Sequence, residues 1–203
     1  MNSAEWGALV MLATVVSFTP GPNTTLSTAL AANRGFRGSL HFVLAVPVGW
    51  GLLLSLCAGG AGALVLALPA LRMGIQAIGI TYLLWLAFTL ARCATLTQVD
   101  TARLNVTFWQ GVLLQFVNIK AWMLALTVVA GWLAGRPDAP ARFAIILPLM
   151  LTFGLVSNLS YALLGSLLRD WLAGPAHTGL RLRWFNRMMA SVLVLTAAWM
   201  ASV

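Results

Sequence analysis

The residues best placed to do chemistry lie in two short stretches, "FTPGPNTT" at 18–25 and "FVNIKAW" at 116–122. Neither holds a nucleophile beside a base, paired carboxylates or an HExxH metal motif, so hydrolytic chemistry has no footing there. What they hold is a broken backbone. Pro20 and Pro22 each remove an amide and obstruct the preceding turn, so a helix arriving at Phe18 does not pass unbroken. The chemistry of such a break is ion binding. Pro22 suits the first position of a new helix, which presents free amides and the positive end of the dipole. Asn118 suits the N-cap of a second half-helix. With Lys120 added, every fixed group attracts an anion, and a carboxylate is the natural guest. A substrate ammonium would turn to released carbonyls, to the side chains of Thr19, Asn23 and Thr24, or to the aromatic faces of Tyr82 and Trp50. No Asp or Glu lies in the interior of a span, which favours a zwitterion over a dibasic solute. The candidate site is therefore Thr19, Pro20, Gly21, Pro22, Asn23, Thr24, Tyr82, Asn118 and Lys120, with no catalytic residue, metal or cofactor.

The elements that must carry these residues follow from composition. The chain has 203 residues, 61% of them hydrophobic and 8% charged, and a mean hydropathy of +0.92. That is too little polar surface for water, so an all-α integral membrane protein is expected. A ruler of roughly 20 apolar residues per crossing predicts about six transmembrane helices, at 4–32, 40–67, 71–91, 108–134, 142–168 and 185–202. No stretch is long enough for a separate soluble domain, so residues 1–203 form a single membrane transport domain. Glu5 and the lack of a basic residue ahead of the first apolar run argue for a retained first span rather than a cleaved leader. Cys57 and Cys93 are too few and too differently placed for a disulfide framework, and read as packing residues.

Charge orients the spans. Arg34, Arg37, Arg92, Arg103, Arg169, Arg181, Arg183 and Arg187 fall in the first, third and fifth loops, whereas Arg72, Arg136 and Arg142 fall in the second and fourth. By the positive-inside rule the odd loops are cytoplasmic and both termini are outside. The net charge of +8 thus follows the loops and calls for no nucleic acid. "RLRWFNR" at 181–187 reads as an anchor to anionic lipid headgroups, with Trp184 and Phe185 at the boundary.

The third loop, near residue 100, divides the chain into inverted three-helix repeats at about 1–95 and 105–203. Phe18 before "TPGPN" is echoed by Phe116 before "VNIKA", and Pro47 in span two by Pro148 in span five. Broken helices one and four at matching places in inverted halves point to a transporter's binding site. Lys120 is the only charged side chain deep inside a span, where charge costs about 2.5–3.5 kcal/mol on insertion scales. It is the candidate to hold the carboxylate and to carry a proton. Ser157, Asn158, Ser160 and Tyr161 in span five either face the cavity or cement helix packing. The glycines of "CAGGAGALVLA" read as places of close helix approach.

"FTPGPNTTLSTALAANRGFRGSL" resembles the first-helix signature of the LysE/RhtB family of bacterial amino-acid exporters. "GITYLLWLAFTLAR" is similar to its third-helix pattern, and "FVNIKAW" to its Asn-Pro-Lys-Ala element, with Ile119 where proline is usual. Trp50 and Gly51 occupy a part of span two where some members carry an acidic residue. The resemblance implies a secondary transporter in the bacterial inner membrane, not an enzyme. It would export small amino acids or related zwitterionic metabolites, be driven by the proton gradient, and work as a homodimer. Two rivals remain: a six-helix carrier of thiol reducing equivalents, which needs a cysteine at each break, and an intramembrane enzyme.

Overall fold

The computed structural model describes residues 1–93, 105–174 and 179–202. The third loop, where the repeats are expected to meet, lies outside the described residues together with Arg103.

Helix α1 (Ser3–Phe18) opens on a capping box: the Asn2 side chain accepts from the Glu5 amide at 2.8 Å, and the Glu5 carboxylate accepts from the Asn2 amide at 2.9 Å. The chain leaves the helix at Thr19 (φ −71°, ψ 129°) and re-enters at Pro22, the first residue of α2 (Pro22–Ala58). The sequence predicts a loop between two spans at 33–39. Instead α2 is helical on both sides of a single interruption at Gly35 (φ +78°, ψ 167°), because one glycine tolerates the left-handed region and no longer linker is needed.

The predicted second span, 40–67, is also shorter than expected. Gly60 (φ +102°) stops the helix, and the short α3 (Ala61–Ala67) follows. Helix α4 (Pro69–Arg92) begins on a proline. After the undescribed loop, α5 (Phe108–Val117) and α6 (Ile119–Val128, running into a π turn at Val129–Leu133) meet at Asn118 with a bend of 67°. Helix α7 (Ala139–Ala173) carries Pro148 in its interior, and α8 (Leu180–Ser202) ends the described chain.

All regular structure among the described residues is helical. Helices α2, α4 and α7 are long and apolar enough to cross a membrane, and the bent α5–α6 pair makes a fourth when counted as one span. Helix α2 is the hub. Its residues enter one core with α4, α5 and α8 around Phe42, Leu86, Leu90 and Leu193, and a second with α6 and α7 around Trp50, Leu54, Ala125 and Ile146. The outer surface is apolar: Met11, Leu167 and Leu195 are each 69% exposed, as lipid contact requires.

Buried polar groups in such a body must find partners inside the protein, since no water competes for them. Three side-chain pairs anchor the first turns of α2 to its neighbours. Asn23 and Gln115 of α5 exchange reciprocal amide bonds at 2.8 and 3.0 Å. The Ser27 hydroxyl donates to Asn158 of α7 at 2.9 Å. Asn33 and Asn186 of α8 form a second reciprocal pair at 2.8 and 3.0 Å, from which the Asn186 amide also reaches the Cys93 carbonyl at 3.0 Å.

Helix α1 is tied quite differently, by charge at its start. Glu5 pairs with Arg136 at 3.1 Å and with Arg142 at 3.3 Å, while Arg142 also holds Asp138 at 2.8 Å. The hydrogen bond from Arg142 keeps the Asp138 carboxyl below its ordinary range. The two aromatics expected at the membrane boundary differ in exposure. Trp184 is exposed, with Arg187 stacked 5.6 Å from its ring. Phe185 is buried against Ala32, Leu172 and Leu182, because one residue along α8 turns it about 100° from Trp184 toward the core.

Candidate functional site

Both breaks leave helix ends without helical partners, and the fate of those ends builds the site. The last turn of α1 presents carbonyls that no later amide of that helix can reach. Side chains take them. The Ser157 hydroxyl donates to the Ser17 carbonyl at 2.6 Å, the Tyr161 hydroxyl to Phe18 at 2.9 Å, and the Lys120 ammonium to Thr19 at 2.8 Å. At the other break the Phe116 carbonyl accepts from the Trp122 indole at 2.7 Å.

The N-terminal ends are prepared by capping. The Thr24 hydroxyl accepts from the Gly21 amide at 3.0 Å, and the Asn118 side chain accepts from the Lys120 amide at 3.2 Å. Pro22 stands as the first residue of α2 and Asn118 as the N-cap of α6, the positions the sequence assigns to them, whereas the sequence does not anticipate the Thr24–Gly21 bond. The remaining amides of the first α2 turn keep no helical acceptor.

A cavity of about 80 Å³ lies where these ends meet, bordered by Thr19, Gly21, Pro22, Asn23, Thr24, Asn118 and Lys120. That is room for roughly five to eight water-sized groups at 10–15 Å³ each, the bulk of a small amino acid. Its far lining is apolar, from Val46, Pro47 and Trp50 of α2 and Met150 and Leu151 of α7, with Asn158 as a polar exception. A wider groove of about 520 Å³ between α1, α6 and α8 shares Thr19, Gly21 and Lys120 with the cavity and adds Pro20. The bond from Lys120 to the Thr19 carbonyl therefore stands at the junction of two spaces. Gly21 makes that bond possible: a Cβ there would sit 3.3 Å from the lysine Cδ and 3.4 Å from its Nζ.

Of the candidates read from sequence, Thr19, Gly21, Pro22, Asn23, Thr24, Asn118 and Lys120 come together, and Pro20 borders the adjoining groove. Tyr82 does not join them. It packs against the core of α2, α4, α5 and α8, stacked on Trp85 at 5.7 Å. In span five, Asn158 faces the cavity, whereas Ser157 and Tyr161 spend their hydroxyls on α1 and Ser160 bonds back to Val156. Gln115 went unnoticed in the sequence, although a fully buried glutamine in an apolar helix is itself a signal. It aligns Asn23 by the reciprocal pair described above.

Helices broken at a shared polar cavity inside an apolar, all-helical body define a membrane transporter rather than an enzyme. The chain belongs to the LysE type translocator family, whose sequence profile covers residues 14–202. It is 31% identical over 186 residues to the "Cysteine/O-acetylserine efflux protein" of Salmonella typhimurium (strain LT2), covering 90% of each chain. It is 29% identical over 153 residues to the protein of the same name from Escherichia coli (strain K12), covering 75% of this chain and 78% of that one. No solved structure matches it.

Proposed function

We propose that this protein exports small zwitterionic amino acids or close relatives from the cytoplasm across the bacterial inner membrane. The observation that carries this reading is the convergence of two half-helix N-termini and Lys120 on one cavity of amino-acid size. The carboxylate lies against Lys120 and the free amides of α2, and the ammonium against Thr19 and the side-chain oxygens of Asn23 and Asn158. Among the described residues no acidic side chain borders the cavity, so dibasic amino acids are disfavoured, and no second cation borders it, so acidic ones are too. The efflux of cysteine and O-acetylserine named for the relatives above supports the same size and charge class.

Six crossings in two inverted halves, with both termini outside, complete the reading. So does the proton gradient as driving force, with Lys120 as the group that exchanges the proton. These features and the homodimer are supported by the family resemblance and the distribution of arginines. The thiol carrier is the weaker alternative, since Cys57 and Cys93 lie in different packing clusters.

The test is transport by purified protein in sealed vesicles. Imposing a proton gradient should drive the movement of labelled cysteine, serine or O-acetylserine, and collapsing it should stop that movement. Transport of none of them would overturn the proposal. Orientation is tested separately: a cysteine at Pro137 should react with an impermeant thiol reagent outside intact cells, and one near Thr178 should not.

A further inference from the structure

The apolar wall of the cavity contains a polar atom with nothing to bind. Trp50 is 8% exposed and borders the cavity, yet its indole N–H is enclosed without a hydrogen-bond partner. Buried donors are nearly always satisfied, so an orphan beside a cavity marks where an acceptor belongs. A lone water is a poor answer, because a buried water needs two to four polar partners. Of the other cavity residues, Val46, Pro47, Met150 and Leu151 offer no side-chain polar group, and no side chain of the described residues reaches the indole N–H.

An acceptor brought in on a tether escapes that limit. If the α-carboxylate and ammonium are held at the polar end, the side chain of the same molecule extends along the apolar wall, and an uncharged acceptor on it meets the indole.

We infer that Trp50 is a specificity-determining residue whose indole N–H selects amino acids bearing an uncharged hydrogen-bond acceptor on a short side chain: a hydroxyl, thiol or ester oxygen. This rests on the function proposed above and refines its substrate class. A purely alkyl side chain of equal size fills the same space but leaves the donor unmatched, and sites with unmatched polar groups reject such analogues.

The test compares L-serine with L-2-aminobutyrate, which differ by a hydroxyl in place of a methyl, and uses L-alanine as a reference lacking both. Initial rates against concentration are measured in vesicles for wild type and Trp50→Phe, which keeps an aromatic ring and removes the N–H. Wild type should favour serine over 2-aminobutyrate by about tenfold in kcat/KM, the discrimination of one neutral hydrogen bond. Trp50→Phe should bring that ratio within about twofold to threefold while still moving alanine.

A wild type that does not discriminate would overturn the inference without any variant. So would a ratio that survives Trp50→Phe, and either result leaves the amino-acid exporter standing. If wild type moves none of the three amino acids, the inference falls together with the function on which it rests.

Discussion

Replacing Lys120 with methionine keeps the reach of the side chain and deletes its charge and its donor. The Lys120 ammonium donates to the Thr19 carbonyl at 2.8 Å, at the junction of the cavity and the neighbouring groove. A carboxylate at a similar distance would gain roughly 6 kcal/mol of Coulomb attraction at an effective dielectric of 20. Both groups must first shed water, so the net worth of the contact is nearer 1.5–3 kcal/mol, the range for hydrogen bonds to charged groups. Lys120→Met should therefore weaken equilibrium binding of a labelled amino acid by about 10- to 150-fold. Gradient-driven export should be lost with it. Lys120→Arg keeps a permanent charge and donor. It should bind substrate yet export without the wild-type dependence on pH, since a guanidinium does not give up its proton. Binding is measured on purified protein, transport in vesicles, and thermal melting verifies that each variant is folded. If Lys120→Met binds within about twofold of wild type and exports with an unchanged pH profile, the central-site reasoning is wrong, whatever else the protein transports.

Three further outcomes are expected. Replacing Pro20, Gly21 and Pro22 together with alanine should give an inserted protein that no longer transports; export at the wild-type rate would reduce the break to a kink. Asn33→Leu should lower stability by about 1–3 kcal/mol because it removes both bonds that the fully buried Asn186 makes with Asn33 and leaves it only the Cys93 carbonyl, and adding Asn186→Leu should recover part of the loss, as read from thermal melting. Asp138 has its carboxyl depressed by Arg142. Its contribution is therefore present above the ordinary carboxylate range and is lost as pH falls through the depressed value. The melting temperature should decline over that acidic window in wild type and decline less in Arg142→Gln, where the pair is already gone.

The parts of the site legible in the sequence were those decided within a few residues. Pro20, Pro22 and Asn118 dictate breaks and caps by their own covalent chemistry, and Lys120 stands out because charge is rare in apolar helices. What could not be read is set by rotation and packing. Tyr82 lies in a helix apolar on every side, so nothing in its neighbours says which way it faces. It proved to face a core and not the cavity. Gln115 and Asn186 acquire meaning only through Asn23 and Asn33, far away in sequence. The stretch at 33–39 looks like a loop by composition, yet one permissive dihedral at Gly35 was enough to join two helical segments.

The two halves of the first predicted span are held with unequal firmness. Beyond the break, α2 is pinned by three side-chain pairs to three different helices. Before it, α1 exposes most of its residues; Leu9 and Ala13 are buried in the second core, and its polar ties lie near its two ends. Mechanically that is a lever with its fulcrum at the cavity. Sixteen residues make an arm of about 24 Å, so a tilt of about 15° about Thr19–Gly21 carries the far end roughly 6 Å. The near end, where Lys120 grips Thr19, barely travels in the same stroke. Filling or emptying a cavity a few ångströms across can in this way be exchanged for a larger displacement at the Glu5 end, provided that the Glu5 ion pairs and the Leu9 and Ala13 contacts yield.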